Sequence, residues 1–126
     1  MLKQGKTRVL VVDYAGPVVI LCVNILQSLG YVVKGANRGE TALEHLRGEP
    51  FDLMIVDYRM PGMDGFQVFE QARTIRPEMA IMLITAHGTP DVTNRAMEMG
   101  FGAILLKPFT SDELRAAVET ALSGKR

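Results

Sequence analysis

The chain is poor in the features that define several large classes of protein. Among its 126 residues there is a single cysteine, Cys22. It cannot form an internal disulfide, and zinc sites need several Cys or His ligands. The two histidines, His45 and His87, stand without metal-ligand company in the sequence. A reducing cytoplasm is the expected compartment. Net charge is also absent, because 14 Lys and Arg balance 14 Asp and Glu. Neither nucleic acid nor an anionic membrane surface is therefore expected as a main partner. Long apolar runs are missing too. The longest of note, Val18 to Val23, is far short of the ~20 residues that span a bilayer. Lys3, Lys6 and Arg8 imitate the start of a signal peptide, but the apolar run behind them, Val9–Val12, is too short and stops at Asp13. There is no low-complexity tract, internal repeat or Gly/Ser linker. A glycine-rich phosphate cradle is lacking as well. Only Gly16 follows the first apolar run, and the lone Gly100-Phe101-Gly102 precedes a strand instead of following one.

What is present is ordinary for a soluble globular protein: 48% hydrophobic and 22% charged residues. The length suits one domain over residues 1–126, with a core at about 7–122 that buries roughly two-thirds of the unfolded surface. Five short apolar runs, rich in β-branched residues, punctuate the chain: Arg8–Asp13, Tyr31–Lys34, Phe51–Asp57, Ala80–Thr85 and Ala103–Leu106. Near-continuous apolar runs without alternation predict strands buried on both faces, as in a parallel sheet. Helical signals fill the gaps. Pro17–Leu29 has Pro near its start and Gly30 after its end, and Gly39–Arg47 places Ala42, Leu43 and Leu46 on one face. Asp64 caps a third helix that Pro77 ends, Thr89 and Pro90 open a fourth, and Thr110 with Glu113 form a capping box for the fifth. Five strand–helix units in strict alternation predict a doubly wound α/β fold.

Such a sheet holds its ligand outside the carboxyl ends of its strands. Asp13 ends the first run, Asp57 the third and Thr85 the fourth, while Lys107 follows the fifth. Asp52 opens the third run, roughly 16 Å of strand from Asp57, and belongs to the opposite edge. Two acids, a hydroxyl and an amine thus converge. Paired carboxylates suit Mg²⁺, an aspartate can be a nucleophile that forms an acyl phosphate, and an amine and a hydroxyl can hold phosphoryl oxygens. A dehalogenase-type aspartyl nucleophile would need a second Asp two residues on, where Arg59 and Ala15 stand instead.

Val9-Leu10-Val11-Val12-Asp13, Asp57-Tyr58-Arg59-Met60-Pro61-Gly62-Met63-Asp64-Gly65, Thr85-Ala86 and Lys107-Pro108-Phe109 together resemble the response-regulator receiver domain. The resemblance covers almost the whole chain. It implies a five-stranded parallel sheet of order 2-1-3-4-5 in a three-layer, flavodoxin-like sandwich. It also implies roles. Asp57 is expected to accept a phosphoryl group from a histidine kinase or a histidine phosphotransfer protein. Asp13, Asp57 and the backbone carbonyl of Arg59 are expected to hold Mg²⁺, Thr85 and Lys107 to engage the phosphoryl group, and Lys107-Pro108 to be a cis peptide. No external substrate is implied. Output is expected as a conformational shift at the fourth helix, fifth strand and fifth helix, a face that also serves docking or dimers. At this length the signal is expected to leave through a bound partner or a further part of the protein.

Three features depart from the family. Its first strand normally ends in two adjacent acids, but here the pair is Asp13-Tyr14. A phenol with an ordinary pKa of about 10 brings no charge at neutral pH, so weaker Mg²⁺ binding is expected. The alternative is a pseudo-receiver that acts by binding alone. Ile104 stands where the family often has an aromatic switch residue, which leaves more of any switch to the loop containing Gly88. Six consecutive apolar residues, Val18–Val23, leave two expectations for the first helix: a modest apolar surface covered by neighbouring side chains, or a docking or dimer face, with Val19 and Val23 as the positions to test.

Overall fold

The computed structural model describes residues 5–124; Lys3 and the basic end Lys125–Arg126 lie outside them. Strands and helices alternate along the chain. They are β1 (Arg8–Val12), α1 (Gly16–Ser28), β2 (Val32–Ala36), α2 (Gly39–Gly48), β3 (Leu53–Asp57), α3 (Gly65–Ile75), β4 (Ala80–Thr85), α4 (Pro90–Met99), β5 (Ala103–Leu106) and α5 (Ser111–Ser123). The five strands form one parallel sheet in the order β2-β1-β3-β4-β5. β1, β3 and β4 are the inner strands of the sheet, and this explains their composition. Val9–Val12 and Leu53–Val56 are fully buried, because helices cover both faces of a parallel sheet.

Two cores result. On one face Leu10, Val12, Met54, Val56 and Leu83 pack with Leu46 of α2 and Val68 and Phe69 of α3. On the other, Val9, Val11, Ile55 and Ile84 pack with Cys22 and Leu26 of α1 and Leu114 and Val118 of α5. Alternate residues of each strand feed opposite cores, as the period of two requires. Cys22 is fully buried. Burial first, then the charge of Asp13, pushes its thiol up to about 11, so it stays protonated at neutral pH.

The capping signals hold. Asp64 Oδ1 accepts from the Gln67 amide at 2.9 Å while Gln67 Oε1 accepts from the Asp64 amide, and Thr110 and Glu113 do the same at α5. Two expectations shift. β2 runs from Val32 to Ala36 and not from Tyr31 to Lys34, because its extent is set by pairing with β1, Arg8 to Val32 through Val12 to Ala36. As an edge strand it tolerates Lys34 and Gly35 inside it, and these break the apolar run in the sequence. In α1, Val19 and Val23 are half-buried and Val19 packs against Gly35. Ile20 and Leu21 face solvent instead. Among the described residues, no helix is long and apolar enough to cross a membrane.

Candidate functional site

Parallel strands of matched length bring their carboxyl ends to one edge. Val12 pairs with Val56, Asp57 with Ile84, and Thr85 with Leu106. Asp13, Asp57, Thr85 and Lys107 therefore sit on consecutive strand ends. Asp13, Asp57 and Thr85 are buried, in a chain where other buried side chains are almost all apolar. Asp52 lies at the other edge, as expected, where its Oδ2 accepts from the Arg8 amide at 2.8 Å.

Lys107 joins the two acids. Its Nζ lies 2.8 Å from Asp13 Oδ2 and 3.4 Å from Asp57 Oδ1. The other oxygen of Asp13 accepts from the Ala15 amide at 2.9 Å, which fixes the carboxylate at the start of α1. Asp13 Oδ2 receives no aligned hydrogen bond, so its contact with Lys107 is ionic. Thr85 Oγ1 accepts from the His87 amide at 2.8 Å, and Thr85 O accepts from the Lys107 amide at 2.9 Å. His87 thus meets the site through its backbone, not its imidazole. The Lys107–Pro108 peptide is cis.

The electrostatics follow from this crowding. Burial first, and the charge of Asp13 second, push Asp57 up to about 6, with Lys107 pulling back. Burial also works against the ammonium of Lys107, but its contact with Asp13 and the charges of both acids outweigh that and hold it above the ordinary lysine value. At neutral pH the cluster carries two carboxylates and one ammonium. A carboxylate beside a cation at the carboxyl edge of the sheet can attack an electrophile whose other oxygens are negative.

The loop after Asp57 is shaped for close approach. A Cβ on Gly65 would lie 2.5 Å from the Asp57 carbonyl oxygen, and the Gly65 amide donates to Tyr58 O at 2.8 Å. Only glycine lets α3 begin this close to the end of β3. Arg59 is exposed on this loop and lines a cleft of about 430 Å³ with Tyr58, Met60, Pro61 and Asp64.

A hard divalent cation fits this donor set. Asp13 Oδ2 is a buried carboxylate oxygen with no aligned donor, and the Asp57 carboxylate shares the ammonium with it. The charge is lean, however. Among the described residues no three His, Cys, Asp or Glu side chains gather into a metal-binding group. Tyr14, next to Asp13, is 55% exposed at the rim.

The sequence reading missed two contributors. One is the Ala15 amide, which no side-chain motif announces. The other is Leu106, the register partner of Thr85; strand alternation from Ile104 would have placed it on the same face of β5.

Comparison with known proteins agrees with this geometry. The sequence profile of the response regulator receiver domain matches residues 9–119. Sporulation initiation phosphotransferase F of Bacillus subtilis is 31% identical over 118 residues, which cover 94% of this chain and 95% of that protein. Transcriptional regulatory protein ZraR of Klebsiella oxytoca is 34% identical over 102 residues, 81% of this chain, but the chain spans only 23% of that longer protein. The crystal structure of chemotaxis protein CheY4 of Vibrio cholerae superposes with a TM-score of 0.88 at 28% identity, covering 94% of this chain and 100% of that one. Receiver domains are the phosphoacceptors of two-component signalling; they typically bind Mg²⁺ and interact with histidine kinases or phosphotransfer proteins. With the fold, the strand-end cluster and the match over residues 9–119 in agreement, this chain belongs to the response-regulator receiver domain family.

Proposed function

We propose that the chain is a phosphorylation-driven switch, one receiver domain over residues 1–126 with a core at about 7–122. The observation that carries this is Lys107 bridging Asp13 and Asp57 at one edge of the sheet. Asp57 attacks the phosphorus of a phosphohistidine on a kinase or phosphotransfer protein. The new bond is Asp57 oxygen to phosphorus. The phosphorus–nitrogen bond breaks, and the imidazole leaves with its electron pair and takes up a proton from solvent. Lys107 pairs with one phosphoryl oxygen, and the Thr85 hydroxyl donates to another. Asp13, Asp57 and the carbonyl of Arg59 would hold Mg²⁺, which supplies charge neutralisation at the phosphoryl group. No external substrate is turned over.

Tyr14 favours a second reading, a pseudo-receiver that binds partners without phosphorylation. One experiment separates the two. Wild type and Tyr14→Asp are incubated with a small acyl phosphate over a range of Mg²⁺ and read by intact mass. Wild type is expected to gain one phosphoryl group, at high Mg²⁺, and Tyr14→Asp to reach half-labelling at about tenfold lower Mg²⁺. No labelling of either protein supports the pseudo-receiver. Equal Mg²⁺ demand rejects the role given to Tyr14.

The phosphodonor is proposed to dock across α1, leaving the α4–β5–α5 face for output or self-association. Ile20 and Leu21 are 62% and 48% exposed, and residues 14–33 contain no Asp, Glu, Lys or Arg. Ile20→Glu places a charge on this ridge. Phosphotransfer from a phosphohistidine protein is expected to fall about tenfold, the effect of losing one central interface contact, while labelling by a small acyl phosphate stays unchanged. An equal effect on both donors would refute docking on α1.

A further inference from the structure

Ile104 and Leu106 point to the same face of β5, the one toward α4. Ile104 is half-buried and packs against the core there. Leu106 is 50% exposed, yet it is not free. It is the register partner of Thr85, and its side chain lies on Gly88 in the loop 86–89 between β4 and α4. A Cβ on Gly88 would overlap Leu106 Cδ2 and stand 3.3 Å from both Cδ1 and Cγ. Gly88 has no left-handed φ among the described residues. A side chain at Gly88 would have to share its space with Leu106. The same loop is tied to Thr85, whose Oγ1 accepts from the His87 amide at 2.8 Å.

We infer that Leu106 is a positioning residue that reads the β4–α4 loop and carries the movement of Thr85 to the outer surface of β5. The inference rests on the reading of Asp57 as phosphoacceptor. Drawing the Thr85 hydroxyl toward a phosphoryl oxygen pulls His87 through its amide, and Gly88 follows. The seat under Leu106 then moves. Leucine occupies discrete staggered rotamers, so the side chain changes well instead of deforming gradually. A half-exposed apolar group on the outer strand changes its presentation, and a partner can read that. Ile104, β-branched and stiff at χ1, holds the inner part of the face while Leu106 moves.

The test is a double-mutant cycle followed by NMR, using Gly88→Ala, Leu106→Ala and the pair. In the unmodified protein, Gly88→Ala is expected to shift the amides of Ala86 and His87, because the new methyl and Leu106 claim the same space. In the Leu106→Ala background most of that shift is expected to vanish. The full chain is then labelled with a small acyl phosphate and Mg²⁺, with intact mass confirming the phosphoryl group. The Leu106 methyl resonances are expected to move in wild type, and Gly88→Ala is expected to lose most of that response. A Gly88→Ala shift of equal size with and without Leu106 overturns the proposal, as do Leu106 methyls that stay fixed in labelled protein. If the mass shows no phosphoryl group, the phosphoacceptor reading fails separately, and the cycle in unmodified protein decides whether Leu106 reads the loop.

Discussion

Asp57→Asn is expected to stabilise the metal-free protein at neutral pH while abolishing its phosphorylation. The unfolded chain ionises this carboxyl near 3.8, whereas the folded chain delays ionisation to about 6. Below about pH 4 both states are protonated and the group contributes nothing to the pH dependence. Between about 4 and 6 the unfolded state has lost its proton and the folded state has not, so stability falls as pH rises. Above 6 the penalty is constant, on the order of 2–3 kcal/mol for a shift of about two pKa units. Asparagine keeps the shape and removes the charge, so Lys107 serves Asp13 alone. Urea unfolding in EDTA at a series of pH values should show the variant more stable than wild type above pH 6, with the difference closing toward pH 4. Added Mg²⁺ should narrow the gap at neutral pH, because an ion held at Asp57, as proposed, would stabilise the native wild type. A gap that is constant with pH would mean that Asp57 does not carry the strain. On the proposed reading this penalty has a functional counterpart: a costly carboxylate favours any group that neutralises it, a phosphoryl group included.

The strand ends were the most legible part of the molecule. Asp13, Asp57, Thr85 and Lys107 each end or follow a short apolar run, and the alternation of strands and helices places them on one edge without further knowledge. Asp52 was separated from Asp57 by strand length alone. The edge strand was less legible, because β2 borrows its register from β1 and its own residues, Lys34 and Gly35, signal the opposite. α1 was legible as apolar but not in its orientation. A run with no polar face hides which residues turn inward, and the bare surface of Gly35 decides that Val19 does. The cluster's finer structure depends on backbone donors, Ala15 to Asp13 and His87 to Thr85. Any residue can supply these, so no residue type marks them. The seat of Leu106 on Gly88 is a contact between a strand and a loop whose approach appears only when the sheet is assembled.

Lys107→Met is expected to be the most damaging single change to the folded state. Methionine keeps the length and the apolar stem but removes the only cation that meets both acids in the described residues. The side chains of Asp13 and Asp57 are 1% and 8% exposed, so water cannot take over. Losing one partner of a buried ionic group costs about 3 kcal/mol or more, since the remaining charges are left unpaired. Wild type should show the Lys107 contribution in full at neutral pH. It should lose it only when the pH climbs past the ordinary lysine range, because the folded ammonium is held above that value. Three measurements define the result. Unfolding in EDTA at neutral pH should show the loss. Mg²⁺ should stabilise Lys107→Met more than wild type, because the ion no longer competes with an ammonium for Asp13 and Asp57. Asp57→Asn in the same chain should recover most of the loss, since one acid then remains where two repelled each other. Equal stabilisation of both proteins by Mg²⁺ would show that Lys107 does not occupy the cation's place. The expected pattern instead gives Tyr14 its physical meaning. With a third acid the pocket would hold three negative charges against one lysine, and a divalent ion would be needed to balance it. With Tyr14 it holds two, and Lys107 already neutralises half. On the proposed reading, the missing acid is expected to make the resting protein less dependent on metal and, for the same reason, to make its phosphorylation demand more of it.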